Sequence, residues 1–214
     1  MHPSTIANLR VDYSLQSFDE KDLKNNPFDQ FAQWMEDAIK AEVNEPNAMT
    51  LATVKEDGSP AARIVLLKGF DERGFTFYTN YDSNKGQEIQ SNHKVALVFC
   101  WLELQRQVRV EGIATRVSAA ESDAYFKSRP YGSQVGAHAS PQSTSLQSRA
   151  ELENMYAHFE KLFKEEPIMR PEHWGGFIIN PHKIEFWQGR TSRLHDRFLF
   201  TKQGNNWDSQ RLAP

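Results

Sequence analysis

Cysteine is almost missing: Cys100 stands alone, which excludes an intramolecular disulfide or a cysteine metal cage and fits a reducing compartment. Long apolar runs are missing as well. Nothing approaches the roughly 18 uninterrupted apolar residues of a membrane span, and residues 1–10 lack the apolar core of a secretory signal. The expectation is a cytoplasmic protein with no membrane partner. Charge of one sign is also lacking, since 25 Lys and Arg against 28 Asp and Glu leave a net charge of −3. That balance gives no electrostatic footprint for nucleic acid. The chain has no GxGxxG after a strand, no GxxxxGK[ST], no HExxH and no GxSxG. Its seven histidines are scattered without a helical pair at metal spacing, so no metal site is expected. Glu103, Glu111 and Glu185 fall on or beside strand patterns and read as solvent-facing positions in preference to a glycosidase pair.

What remains is globular: 214 residues, 39% hydrophobic and 25% charged, read as a single domain over residues 1–214 with residues 1–26 as a flexible arm. Asn26-Pro27 is a cap-and-proline helix start, followed by Phe28, Phe31, Trp34, Ile39 and Val43 at roughly helical spacing up to the NEPN breaker at 44–47. The period then changes to that of strands over 49–54, 62–67 and 75–79, with turns at Asp57-Gly58 and around 71–74. A short helix over 85–91 leads to strands over 95–101 and 107–117. Helices are expected over 119–127 and 148–164, separated by a loop-rich segment broken by Pro130, Gly132, Gly136 and Pro141. Strand pattern returns over 174–179, 183–188 and 198–201. The class is a β-dominated α+β fold, with helices inserted between β units.

Several polar residues invite chemistry. Arg63 and Lys68 flank an apolar strand an odd number of residues apart, so an undistorted strand sends them to opposite faces; strand-end charges in water are the plain alternative. Lys85 sits near a helix N-terminus, where free N–H groups and a cation suit phosphate, or where an ordinary surface lysine would sit. Tyr125, Arg129 and Ser133 follow at four-residue intervals and offer a phenol, a guanidinium and a hydroxyl to a phosphate; an arginine satisfying helix C-terminal carbonyls is the alternative. Gln142-Ser143 is either turn chemistry or a pair of ligand donors. Residues 186–197 pack Trp187, Arg193, His195 and Arg197 into one strand-loop-strand, a density of donors that points to a ligand.

Taken in order, RIVLLK (63–68), FYTN (77–80), RQV (106–108), SRP (128–130), SQ.GA (133–137), QS (142–143), WGGF (174–177), IEFWQG (184–189), RLHDRF (193–198) and RLAP (211–214) resemble the pyridoxamine 5'-phosphate oxidase family over nearly the whole chain. Ten short motifs in order are far more specific than any one. The resemblance implies an FMN-binding split β-barrel, antiparallel and Greek-key-like with flanking helices, working as a homodimer with FMN at the subunit interface. It implies oxidation of pyridoxamine 5'-phosphate and pyridoxine 5'-phosphate to pyridoxal 5'-phosphate, with O2 reduced to H2O2.

In that family FMN is held by residues matching Arg63, Ile64, Val65, Leu66, Leu67, Lys68, Tyr78, Thr79, Lys85, Gln107, Gln142, Ser143, Trp187 and Arg197. Substrate would be held by Arg10, Tyr13, Lys68, Tyr125, Arg129, Ser133, Arg193, Leu194 and His195, with Arg193 and His195 beside the reacting carbon as the catalytic pair. Asn84 stands where relatives often carry arginine before the helix lysine. Other readings are a split-barrel flavoprotein with a different small-molecule substrate and a non-catalytic carrier of FMN or pyridoxal phosphate.

Overall fold

The expected first helix, α1 (Pro27–Lys40), starts where the Asn26 side chain accepts the Phe28 N–H at 2.9 Å, with Pro27 at the first helical position. It stops before NEPN. Glu42 adopts a left-handed φ of 54°, so that Val43 N–H reaches Ala38 O and Glu42 N–H reaches Ile39 O, both at 3.0 Å. This paired closure satisfies the last carbonyls and folds Val43 into the core. The helix buries Phe28, Phe31, Trp34, Met35 and Ala38, whereas Ile39 lies outside this stripe and is exposed.

The computed structural model describes residues 6, 8, 9 and 11–214. The remaining elements are β1 (Ala48–Val54), β2 (Pro60–Leu66), β3 (Gly69–Asp71), β4 (Gly74–Asn80), α2 (Asn84–Ser91), β5 (Lys94–Trp101) and β6 (Arg106–Arg116). They continue with α3 (Ala119–Ser128), α4 (Tyr131–Ala139), α5 (Arg149–Leu162), β7 (Trp174–Gln188), β8 (Asp196–Gln203) and β9 (Asn206–Arg211). Strand order is β2-β1-β5-β6-β7-β4-β3, with β8 paired to β7 and β9 to β8. The β3–β4, β4–β7, β7–β8 and β8–β9 pairings are antiparallel. Among the described residues no helix is long and apolar enough to cross a membrane.

The chain divides into two compact units, one of Met1–Met49, Leu97–Glu111 and Pro181–Pro214, the other of Thr50–Ala96 and Gly112–Asn180. In the first, α1 packs Phe31 on Phe99 (centroids 4.9 Å) and Trp34 on Phe186 (5.1 Å) and Phe18 (5.0 Å). In the second, fully buried Phe75, Phe77, Val135 and Ile179 form core positions. Each large apolar side chain removed from water in these cores contributes roughly 1.5–3 kcal/mol.

Besides the short β3, three elements depart from the sequence reading. The two strands expected over 174–179 and 183–188 are one strand, β7, continuous through Pro181. Its register partners are in β4 up to Ile179 and in β8 from Lys183, so Pro181, which has no N–H, falls where the partner changes. The loop-rich segment after Pro130 contains α4, because burial of Val135, Ala137 and Ala139 on two sides of the helix outweighs the low propensity of Gly132 and Gly136. Finally, β9 was not expected: its sequence NWDSQR is polar and mostly exposed, and it exists through backbone pairing with β8 after the left-handed turn at Gly204.

Candidate active site

In the second unit, Ile64, Val65 and Leu66 of β2, with Lys68 just beyond it, form one wall of a cavity of about 450 Å³. Arg63 is not on that wall. It is ion-paired through Nη2 to Glu88 Oε2 of α2 at 2.6 Å and hydrogen-bonded to Thr53, while Lys68 lines the cavity. The two cations thus meet different environments, but Lys68 lies beyond the end of β2, so strand alternation is not what separates them. Leu67, between them, is a core residue with 6% exposure.

Across the cavity, Lys85 lies in the first turn of α2, capped by Ser83. Its Nζ donates to Gln142 Oε1 at 2.8 Å, Ser83 Oγ at 3.2 Å and Thr79 Oγ1 at 3.3 Å. All three partners are neutral oxygens. Burial, and then the nearby Arg63 cation, lowers the Lys85 pKa. Thr79, Lys85 and Gln142 are therefore brought together, but Ser143 is exposed at a left-handed φ of 74° and is not among the residues lining this cavity.

Tyr125, Arg129 and Ser133 line the same space. Arg129 is the C-cap residue of α3 with an extended backbone, which turns its side chain onto the Trp174 ring, 4.5 Å from guanidinium carbon to centroid. Its Nη1 is buried and makes no hydrogen bond, and burial lowers the group's pKa. An arginine serving helix carbonyls would not leave that donor orphaned, so the plain alternative fails at this atom. Tyr78 stacks on Tyr125 at 3.9 Å and 16° and lies 12° from coplanar with Trp174 at 5.6 Å; burial raises both tyrosine pKa values. Gly176 makes room for this slab, because a Cβ there would come within 2.8 Å of Tyr78 Cε1. The result is a stack of near-parallel aromatic rings bordered by Lys68, Lys85, Arg129 and the Ser133 hydroxyl, suited to an anionic ligand with a planar ring.

The first unit holds a separate cluster around a cavity of about 620 Å³ lined by Tyr13, Arg190, Ser192, Arg193 and His195 among others. Trp187 and His195 rings are 4.6 Å apart, and Tyr13 meets Trp187 edge-on at 5.8 Å and His195 at 5.9 Å. A Cβ at Gly189 would lie 2.8 Å from Tyr13 Cγ, so a glycine is what lets Tyr13 settle there. His195 Nδ1 accepts the Arg190 backbone N–H at 3.1 Å. Burial, then the Arg193 and Arg197 cations, lowers its pKa. Arg193 is exposed at a left-handed φ of 61°, and Leu194 is exposed beside it.

Arg197, opposite Trp187 in the β7–β8 register, donates to Glu185 Oε1 and to the Ala213 carbonyl, each at 2.8 Å. Glu185 also accepts from Arg109 at 3.0 Å. It is a buried two-arginine acceptor, which corrects its reading as a solvent-facing strand position: the register of β7 turns it toward two guanidiniums.

Gln107 is half-buried on β6 and lines neither cavity. Arg10 lies outside the described residues. Sequence reasoning did not single out Trp174, the ring under Arg129, whose signal was an aromatic directly before the Gly175-Gly176 pair. It also overlooked Arg190, whose N–H engages His195.

Comparison with known proteins gives concordant results. Residues 35–162 match the family described as pyridoxamine 5'-phosphate oxidase, and residues 174–214 match a pyridoxine 5'-phosphate oxidase C-terminal dimerisation region. The pyridoxine/pyridoxamine 5'-phosphate oxidase of Synechocystis is 54% identical over 98% of this chain and 98% of its own length. That of Thermosynechococcus vestitus is 56% identical over 98% and 99%. Among solved structures, PhzG from Burkholderia lata in complex with tetrahydrophenazine-1-carboxylic acid is 30% identical with a TM-score of 0.88, covering 94% of this chain and all of that one. A pyridoxamine 5'-phosphate oxidase-related, FMN-binding protein from Nostoc punctiforme, at 17% identity and a TM-score of 0.72, shares the fold. These likenesses establish the split-barrel architecture implied by the motifs. With identity above one half along essentially the full length of named oxidases, and both characteristic regions in place, this chain belongs to the pyridoxamine 5'-phosphate oxidase family.

Proposed function

We propose that the chain is an FMN-dependent oxidase that converts pyridoxamine 5'-phosphate and pyridoxine 5'-phosphate to pyridoxal 5'-phosphate, reducing O2 to H2O2, as a homodimer. The observation that carries this reading is Arg129: a guanidinium beside a cavity, with a buried Nη1 that has no acceptor. A buried donor left unpaired costs about 1–3 kcal/mol, which a phosphate oxygen would offset. Tyr125, Ser133 and Lys68 line the same cavity and complete a donor set for the vitamer phosphate.

Lys85, hydrogen-bonded among the described residues to neutral oxygens, fits a second phosphate, that of FMN, with Thr79, Gln142 and the β2 wall around it. FMN, when bound, would supply the two-electron redox chemistry that couples oxidation of the substrate carbon to reduction of O2. The second unit's own residues hold the two phosphates, and the Trp187, Arg193 and His195 cluster of the first unit is by itself suited to a planar ring. The dimerisation region matched by residues 174–214 supports the homodimer. Light scattering would read twice the chain mass.

The likeness to PhzG supports a second reading, a flavoprotein acting on another small molecule. The Arg129 donor by itself suits any anionic oxygen, and its grouping with Tyr125, Ser133 and Lys68 around one cavity favours the several oxygens of a phosphate. The test is a visible spectrum of the FMN-loaded protein without oxygen, before and after pyridoxamine 5'-phosphate, then in air. Bleaching by the vitamer, with recovery and peroxide in air, is expected. A flavin spectrum unchanged by the vitamer would shift the assignment to the second reading, and failure to bind FMN would overturn both.

A further inference from the structure

The loop that carries Arg193 and His195 is not a relaxed one. Ser192 and Arg193 both hold left-handed φ values, 55° and 61°, conformations that disfavour residues with a Cβ. Such a loop persists only where its ends are held. One foot is Arg190, whose Nη1 donates to Asp196 Oδ2 at 2.8 Å. Asp196, at the other foot, is buried and also accepts the Phe18 N–H at 3.1 Å and Arg211 Nη1 at 2.9 Å. One carboxylate thus ties the loop, the N-terminal segment and the end of β9 together. Held this way, Arg190 directs its own backbone N–H at His195 Nδ1.

We propose that Arg190 and Asp196 are positioning residues for His195: they keep its imidazole neutral, with Nδ1 as acceptor and the proton on Nε2, so that the ring presents a hydrogen-bond donor and not a base. The reason is valence. A backbone N–H can only donate, so Nδ1 must supply the lone pair; a neutral imidazole carries one proton, which is then on Nε2. Protonating the ring would set Nδ1–H against the Arg190 N–H. Among the described groups around His195, burial and the Arg193 and Arg197 cations oppose a positive charge on the ring, the Asp196 carboxylate favours one, and the Tyr13 and Trp187 rings are in contact. The Arg190 cation is engaged with Asp196. The donor role toward substrate rests on the proposed function; the tautomer does not.

The test reads the imidazole nitrogens of the full-length FMN-loaded protein by long-range proton–nitrogen correlation, with His195 assigned by its loss in His195→Gln. At neutral pH a protonated Nε2 and a bare Nδ1 are expected. Asp196→Asn and Arg190→Ala should both give a tautomer mixture and lower kcat/KM for pyridoxamine 5'-phosphate about tenfold, the order a sub-ångström misplacement produces. Arg190→Lys, which can still pair with Asp196, should keep the single tautomer. A proton on Nδ1 in the unaltered protein, or an unchanged nitrogen spectrum in both Asp196→Asn and Arg190→Ala, would overturn the inference. Arg190→Ala alters a partly exposed side chain, so it remains informative if Asp196→Asn does not fold. The tautomer is read without substrate. The expected spectrum in a protein that does not oxidise the vitamer would refute the proposed function and leave this inference standing.

Discussion

Replacing Arg129 with methionine should separate binding from stability, because the ligand-free protein gains little from this guanidinium. Its Nη1 is buried without a partner, a cost of about 1–3 kcal/mol, while its stack on Trp174 at 4.5 Å returns about 0.5–2 kcal/mol. The two nearly cancel, and methionine fills much of the same apolar space. The unloaded variant should therefore stay within about 1 kcal/mol of the parent. Phosphate binding should behave differently. Charge-assisted hydrogen bonds contribute about 1.5–3 kcal/mol, so the dissociation constant for pyridoxal 5'-phosphate, measured calorimetrically on oxidised FMN-loaded protein, should rise about 10- to 100-fold. At a ligand concentration of about 100 times the parent constant, ligand stabilisation would fall from about 2.7 kcal/mol to between about 1.4 (tenfold weaker) and about 0.4 kcal/mol (100-fold weaker) in thermal unfolding. Unchanged affinity would refute the phosphate assignment. A loss of more than about 2 kcal/mol in the unloaded state would mark Arg129 as a structural residue instead.

Other perturbations probe the remaining parts of the site. Lys85→Met removes the cation that meets only neutral oxygens and should weaken FMN binding at least about tenfold in a fluorescence-quenching titration, with little loss of unloaded stability. The lowered His195 pKa means that the neutral ring persists as pH falls below about 6.5. Its stabilising contribution is present above the unfolded value and lost as pH falls through the folded one. Arg193→Gln removes one of the two opposing cations, so the imidazole should titrate at higher pH in a nitrogen-detected titration; no upward movement would remove Arg193 from the ring's environment. Gly176→Ala would drive a methyl to within 2.8 Å of Tyr78 Cε1, and about 1–3 kcal/mol of destabilisation should be visible in denaturant unfolding, with weakened FMN retention.

Much of the molecule was legible because its information is local. Alternation and turn residues marked β1, β2 and β4, and the Asn26-Pro27 start of α1 matched its observed cap. The ordered short motifs carried the family, since each reports a small set of side chains that one chemistry requires together. Local pattern failed where the deciding partner was remote. It could not show that β7 runs through Pro181, because a proline is tolerated only once both neighbouring ladders are known. Nor could it reveal polar β9, which exists because β8 lies beside it.

The same division runs through the candidate site. Sequence by itself determined which residue types are present and in what order: two cations around an apolar strand, a phenol, guanidinium and hydroxyl at helical intervals, and a histidine among arginines. Tertiary structure decided how each is employed. It paired Arg63 with Glu88 and left Lys68 on the cavity wall, buried the Arg129 Nη1 without a partner, tied Arg197 to Glu185 and turned an Arg190 N–H onto His195. The physical reason is that charge, valence and period belong to residues one at a time, whereas burial and pairing are properties of contacts. Phe18 meets Asp196 across 178 positions of chain, and only the folded backbone brings such a pair within hydrogen-bonding reach.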